Sequence, residues 1–150
     1  MSVWEDFDEI LSYAHFWNWA PDWDIAKEIY RKFPDSYSIL TPFAYTYLEE
    51  LIRTTTSDYG LPLFDRNHEP IKIRVGMALI KLAIEENQAN PEYVMLLEKT
   101  KRYFKYTQIN NDENGRNRVM HGHVHPRFWS KESFEQLLHD IAELSKHSRF

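Results

Sequence analysis

Large apolar residues recur every three or four positions through most of the chain, which is the spacing of one face of an α-helix. The first such segment covers 3–20, and later ones cover 71–86 and 92–106. Sustained apolar-polar alternation and hairpin dipeptides, the signals of β-strands, are nearly absent. The sequence therefore predicts an all-α fold, a bundle of about five to seven helices in a single domain spanning 1–150.

Prolines and capping residues divide this pattern into separate helices. Pro21 is expected to end the first helix, and Asp22 caps a short helix that continues to Tyr30. Thr41 followed by Pro42 is typical of an N-cap and a first helical residue. We therefore expect the next long helix to begin at this pair.

Shorter polar stretches mark the remaining boundaries. Another segment is predicted to begin at 35–36, and the helix that starts at Thr41 is expected to end within 54–57. Residues 58–70 are predicted to form an irregular loop. Further along the chain, Asn90 and Pro91 begin the helix that covers 92–106. An extended loop is expected around 122–130, after which Ser130 caps a last helix through Leu144.

Charge is distributed unevenly along the chain. The net charge is −5, but residues 1–70 carry 5 basic and 13 acidic side chains, whereas residues 71–150 carry 13 basic and 10 acidic ones. An acidic average disfavours a broad nucleic-acid-binding face. The second half nevertheless allows a local cationic surface, formed by Lys99, Lys101, Arg102, Lys105, Arg116, Arg118, Arg127 and Lys131.

Several classes of protein are excluded by what the sequence lacks. The chain has no cysteine, which removes disulfide frameworks and thiolate chemistry. It has no apolar run near the roughly 20 residues that span a bilayer, so we expect a cytoplasmic protein with no membrane partner. Neither a P-loop nor a dinucleotide fingerprint is present, and we expect no cofactor.

The densest group of functional side chains lies in 114–127, Asn-Gly-Arg-Asn-Arg-Val-Met-His-Gly-His-Val-His-Pro-Arg. It combines fixed positive charge with imidazoles that titrate near neutral pH. On one continuous helix Arg116 and His121 would lie some 140° apart. Either the helix ends at His121, as Gly122 suggests, or a neighbouring chain completes the site across a twofold axis.

The pattern Arg116-Asn117-x3-His121-Gly122 resembles the motif of the HEPN superfamily (higher eukaryotes and prokaryotes nucleotide-binding), which are small all-α bundles. The resemblance implies a homodimeric, metal-independent endoribonuclease in a toxin-antitoxin or phage-defence setting, with an antitoxin or regulatory protein as a further partner. It assigns catalysis to Arg116, Asn117 and His121. The alternative is a HEPN-like module that binds a nucleotide or a protein without catalysis.

The residue types suit RNA cleavage. A neutral His121 imidazole can take the proton of a ribose 2′-hydroxyl, and Arg116 can stabilise charge on the phosphate oxygens. Asn117 can orient either partner through its amide. Substrate contacts are predicted for Arg118, His123, His125, Arg127 and Trp129.

Two other groups of residues admit different functions. His121, His123 and His125 would point to one side of an extended segment, as a zinc site requires. A nearby carboxylate is lacking and Pro126 follows, so we expect no metal and keep the zinc site as the alternative.

The aromatic residues of the first 23 positions resemble a base-stacking platform, but their helical spacing and acidic surroundings favour core packing or a dimer surface.

Overall fold

The structure is a computed structural model that describes residues 2–104 and 130–150. No helix in these ranges is long and apolar enough to cross a bilayer. The described residues contain no strand, and the predicted all-α class is confirmed. They form six α-helices: α1 (Val3–Tyr13), α2 (Ala20–Lys32), α3 (Tyr37–Arg53), α4 (Gly76–Glu86), α5 (Pro91–Thr100) and α6 (Lys131–Ser145).

Helix α6 packs most extensively against α1 and α3, and it also contacts α5. Its apolar residues recur at helical spacing, so one face is buried along its whole length. The buried face consists of Phe134, Leu137, Leu138, Ile141, Ala142 and Leu144. Each large side chain buried in this way stabilises the fold by about 1.5–3 kcal/mol relative to its exposed state.

Helix α1 ends earlier than the sequence predicts, so the expectation of one helix over 3–20 is wrong. Ala14 has extended backbone, with φ −66° and ψ 140°. The His15 Nδ1 atom then accepts a hydrogen bond from the backbone N–H of Trp17 at 3.3 Å. Because this contact gives the backbone a partner outside the helix, a turn forms, and Phe16 and Trp17 are 77% and 74% exposed.

Two of the helix boundaries that were predicted from prolines, at Pro21 and at Pro42, are displaced. Pro21 does not follow a helix but lies in the first turn of α2, where its missing N–H costs nothing. Pro42 lies inside α3, which begins at Tyr37, and the predicted start at Thr41 is wrong. The Thr41 hydroxyl instead donates to the Tyr37 carbonyl at 2.6 Å, as a residue inside the helix does.

Helix α4 begins at Gly76 rather than at Ile71. Distant carboxylates hold the preceding segment out of the helix: Asp58 accepts from the Arg74 N–H at 2.8 Å, and Glu49 accepts from the Gly76 N–H at 2.7 Å. Gly76 has a φ of +58°, a conformation that glycine adopts without the strain a Cβ atom would bring. The periodicity of 71–75 therefore does not produce a helix.

Other boundaries agree with the sequence. Residues 58–70 form a loop that contains an isolated antiparallel β-bridge between Phe64 and Pro70. The Asn90 side chain accepts from the Tyr93 N–H at 3.2 Å and caps α5. The α-helix, however, ends at Thr100, before the predicted end at 106, and a 3₁₀ turn follows at Lys101–Tyr103. The loop expected around 122–130 lies outside the described residues, apart from Ser130.

Aromatic rings fill the core between α1, α2 and α3. The Trp23 ring centroid lies 4.8 Å from that of Phe43, 5.1 Å from that of Tyr47 and 6.0 Å from that of Phe7. The angles between their planes, 60° to 80°, correspond to the tilted and edge-to-face contacts that aromatic rings favour. Core packing is thus the role of the N-terminal aromatic residues Phe7 and Trp23, as the helical spacing predicts.

A substitution in the middle of α3 tests the core. Leu48 is fully buried, whereas Ile39 on the same helix is 76% exposed. Leu48→Ala should lower the free energy of unfolding by about 2–5 kcal/mol because it removes buried methyl groups and leaves a cavity. Ile39→Ala is the control and should change it by about 0.5 kcal/mol or less. Urea denaturation of both variants measures the difference, and equal losses would contradict this core.

Candidate functional site

The predicted site residues all fall in 105–129, outside the residues that the structure describes. Whether they meet therefore stays a prediction. What the structure does describe is how the chain is held just before this segment, at 101–104, and just after it, at 130–134. The residues concerned are Arg116, Asn117 and His121 for catalysis, and Arg118, His123, His125, Arg127 and Trp129 for substrate contacts.

The chain entering this segment is fixed to α6 by a polar contact. The Arg102 guanidinium lies 4.9 Å from the centroid of the Tyr103 ring and donates to the Tyr103 hydroxyl at 2.9 Å. Arg102 and the Tyr103 hydroxyl both donate to the Asp140 carboxylate on α6. Burial, together with the Asp140 charge, raises the pKa of Tyr103 well above its usual value, so its hydroxyl stays a donor.

The chain leaving the segment is fixed by the start of α6. The Ser130 hydroxyl accepts from the Ser133 N–H at 3.0 Å, an N-cap that satisfies one of the free donors of the first turn. One turn later the buried Phe134 ring packs on Tyr30 of α2, with 5.2 Å between ring centroids. Both ends of 105–129 are therefore attached to residues with defined contacts.

Carboxylates line a groove between α1 and the first turns of α6, with a volume of about 370 Å³. Glu135 accepts a hydrogen bond from the Tyr30 hydroxyl at 2.7 Å, which fixes one wall. A phosphate would be repelled here because the wall is mainly acidic. The groove is lined by Val3, Asp6, Glu132, Glu135, Gln136 and His139.

The Asp6 and His139 side chains form the innermost contact of this groove. Asp6 is 3% exposed, and its Oδ1 atom lies 3.1 Å from Nδ1 of His139. Burial raises the pKa of the Asp6 carboxyl, while the hydrogen bond and the charge of His139 act in the opposite direction. Sequence reasoning missed this pair. The available signal was an acidic residue beside Phe7 on the buried face of α1, where a charge needs a partner.

The predicted cationic surface is partly neutralised within the chain. Lys101 Nζ lies 2.8 Å from Glu98, and Arg102 is paired with Asp140. Beside them, the Tyr103 and Phe104 rings are buried. Lys101 and Arg102 are therefore engaged by carboxylates of the chain itself, and phosphate contacts are left to other members of the predicted surface.

Within 2–104 and 130–150, no group of three or more His, Asp or Glu side chains is arranged to hold a metal ion. The histidine trio of the zinc alternative lies outside these ranges. No family model, characterised protein or solved structure matches the chain.

The Asp6 carboxyl makes stability depend on pH in a defined direction. A carboxyl group whose pKa is raised by folding contributes stability below its unfolded pKa and loses it as the pH rises through the folded value. Asp6→Asn keeps a side-chain oxygen that can accept a hydrogen bond from His139, and the amide that carries it cannot ionise. The melting temperature of Asp6→Asn, minus that of the natural chain, should thus be more positive at about pH 7 than at about pH 3.

Thermal melts at both pH values check this expectation, with the exposed Asp35→Asn as a control for the general effect of removing a carboxylate. Asp35→Asn should show a smaller change between the two pH values. A more negative difference for Asp6→Asn at the higher pH would contradict the account, since it would mean that attraction to His139 outweighs the cost of burying the carboxylate.

Proposed function

We propose that this protein is a metal-independent endoribonuclease. The observation that carries the proposal is the sequence Arg116-Asn117-x3-His121-Gly122, placed late in an all-helical chain with one described helix after it. Its resemblance to the HEPN motif supplies the reaction class, and the residue types supply the chemistry. The helical fold and the attachment of both ends of 105–129 are compatible with such a site.

The reaction uses the ribose 2′-hydroxyl as the nucleophile. His121 takes its proton, the 2′-oxygen bonds to the adjacent phosphorus, and the bond from phosphorus to the 5′-oxygen breaks. The leaving 5′-oxygen takes up a proton from solvent, and the other product ends in a 2′,3′-cyclic phosphate. Arg116 stabilises the charge on the phosphoryl oxygens with its planar set of donors, and Asn117 orients the imidazole or the phosphate.

Neighbouring residues would hold the RNA strand. Arg118, His123, His125 and Arg127 supply donors for flanking phosphates, and Trp129 supplies a ring on which a base can stack. The acidic groove beside α6 would repel phosphate, which argues against a broad RNA-binding face and in favour of a small phosphate site elsewhere. A homodimer would bring two motifs together and remove the difficulty of the 140° separation of Arg116 and His121 on one helix.

A silencing partner fits this activity. The resemblance to the HEPN superfamily implies a toxin-antitoxin or phage-defence setting in the cytoplasm, in which a nuclease is kept silent until it is needed. The partner would be an antitoxin or another regulatory protein that covers the cationic residues of 116–127.

The proposal predicts RNA cleavage in the presence of EDTA. His121→Asn should slow cleavage by about 100-fold or more, since a positioned general base contributes about that much. Arg116→Ala should cause a loss of about the same size because it removes a transition-state donor. Cleavage of a labelled oligoribonucleotide measures both, and a single 2′-deoxy substitution at the mapped cleavage position should block cutting there.

Matched variants outside the motif serve as controls. Arg66 and His68 are exposed in the loop at 58–70. His68 has a φ of 61°, which asparagine tolerates better than alanine, so His68→Asn is the partner of His121→Asn. His68→Asn and Arg66→Ala should cleave at the rate of the natural chain. Intact RNA combined with saturable nucleotide binding would contradict the proposal and favour the non-catalytic binding module.

A further inference from the structure

Helix α2 presents an apolar ridge to solvent. Ile25 and Phe33 are 57% and 65% exposed, and Ile29 between them is half-buried. Ile25 and Ile29 lie four residues apart on α2, and Phe33, the residue that ends the helix, continues the row after a further four residues. The adjacent side of α2 carries Trp23, Ala26 and Tyr30 into the core, and Ile29 packs at the edge of that core, while Ile25 and Phe33 remain exposed to solvent.

A groove runs along each side of this ridge. The outer groove has a volume of about 420 Å³ and is bounded by the ridge and by the row Asp24, Glu28 and Lys32. The inner groove, of about 370 Å³, lies between the ridge and α3, where Leu40 and Phe43 form its floor. The ridge thus has a groove on each side, one along α2 itself and one between α2 and α3.

This arrangement is complementary to itself. When two helices pack through rows of residues spaced by four, the ridge of each enters a groove of the other. A twofold axis satisfies both insertions at once, since an isologous contact uses the same patch on both copies. Ile29, at the middle of the ridge, would lie near that axis.

The charges along α2 select the antiparallel direction. Asp22 and Asp24 lie in its first turns, and Arg31 and Lys32 lie in its last turn. An antiparallel pair sets Asp24 of one copy beside Lys32 of the other, whereas a parallel pair sets like charges together. The Glu28 side chains of the two copies would lie near the axis. Each is already paired with Arg31 at 2.6 Å, so the two carboxylates repel one another less than unpaired ones would.

We propose that the α2 surface, defined by the ridge Ile25, Ile29 and Phe33 with the row Asp24, Glu28 and Lys32, binds a second copy of this chain in an antiparallel twofold contact. The contact stands on the geometry of described residues and does not require that the chain cleave RNA. A failed cleavage assay therefore leaves it intact, and a chain that cleaves RNA without dimerising through α2 would overturn this contact alone and leave the proposed cleavage standing.

Sedimentation equilibrium between about 1 and 200 µM tests the contact. The natural chain should dimerise in this range, and Ile25→Glu should raise the dissociation constant at least about tenfold because it places a charge within the apolar contact, once in each copy. Met95→Glu is the matched control, since Met95 on α5 is 61% exposed and lies outside the α2 surface. It should leave the dissociation constant unchanged, with circular dichroism confirming that both variants fold.

Charge reversal distinguishes the antiparallel contact from nonspecific association. Asp24→Lys and Lys32→Asp should each weaken the dimer by about fivefold, since each creates two symmetric like-charge contacts. The double variant should restore the original dissociation constant. Restoration requires that the two residues meet across the interface, so additive weakening would overturn the antiparallel arrangement.

A cysteine placed near the axis gives a second readout. The natural chain has no cysteine, so Glu28→Cys introduces a single thiol at an exposed position. It should form an intermolecular disulfide under mild oxidation, and Met95→Cys should not. A chain that stays monomeric at about 200 µM, or a dimer that Ile25→Glu does not weaken, would overturn the proposal.

Discussion

The burial of α6 between α1 and α3 is the constraint on which the described structure depends. Its apolar face packs against α1 and α3 and belongs to the same core as Phe7 and Ile10 of α1. Hydrophobic burial has no direction of its own, so polar contacts set the rotation and register of the helix. Three such contacts reach α6 from different parts of the chain: Tyr30 to Glu135, His139 to Asp6, and Tyr103 to Asp140.

This helix also connects the two proposals. The segment at 105–129 joins the Tyr103 contact to the Ser130 cap, so the motif residues lie between two attachments to α6. Helix α2 touches α6 through Tyr30, and the exposed residues of its ridge, Ile25 and Phe33, face solvent. A dimer formed through α2 would therefore be built on the same rigid core that holds the ends of the motif segment.

The sequence predicts those features that depend on neighbouring residues. The Asn90 and Ser130 caps are confirmed because each side chain bonds to a backbone group only three positions away. Features set by distant partners were missed. The start of α4 depends on Glu49, 27 positions before Gly76, and the His139 contact depends on a residue 133 positions away. The motif at 116–121 is recognised from its residue types. The distances between its side chains depend on long-range folding, which the spacing of residues in the sequence does not encode.

Native-state hydrogen exchange tests most directly whether α6 is the element on which the fold depends. The backbone amides of Leu137, Leu138 and Ile141 should exchange only through global unfolding, with the same free energy as Leu48 in the middle of α3. Urea should lower both free energies with the same slope, because one cooperative transition exposes both helices. Exchange of the α6 amides at a much lower free energy, with little dependence on urea, would show that α6 detaches from an intact core and would contradict this account.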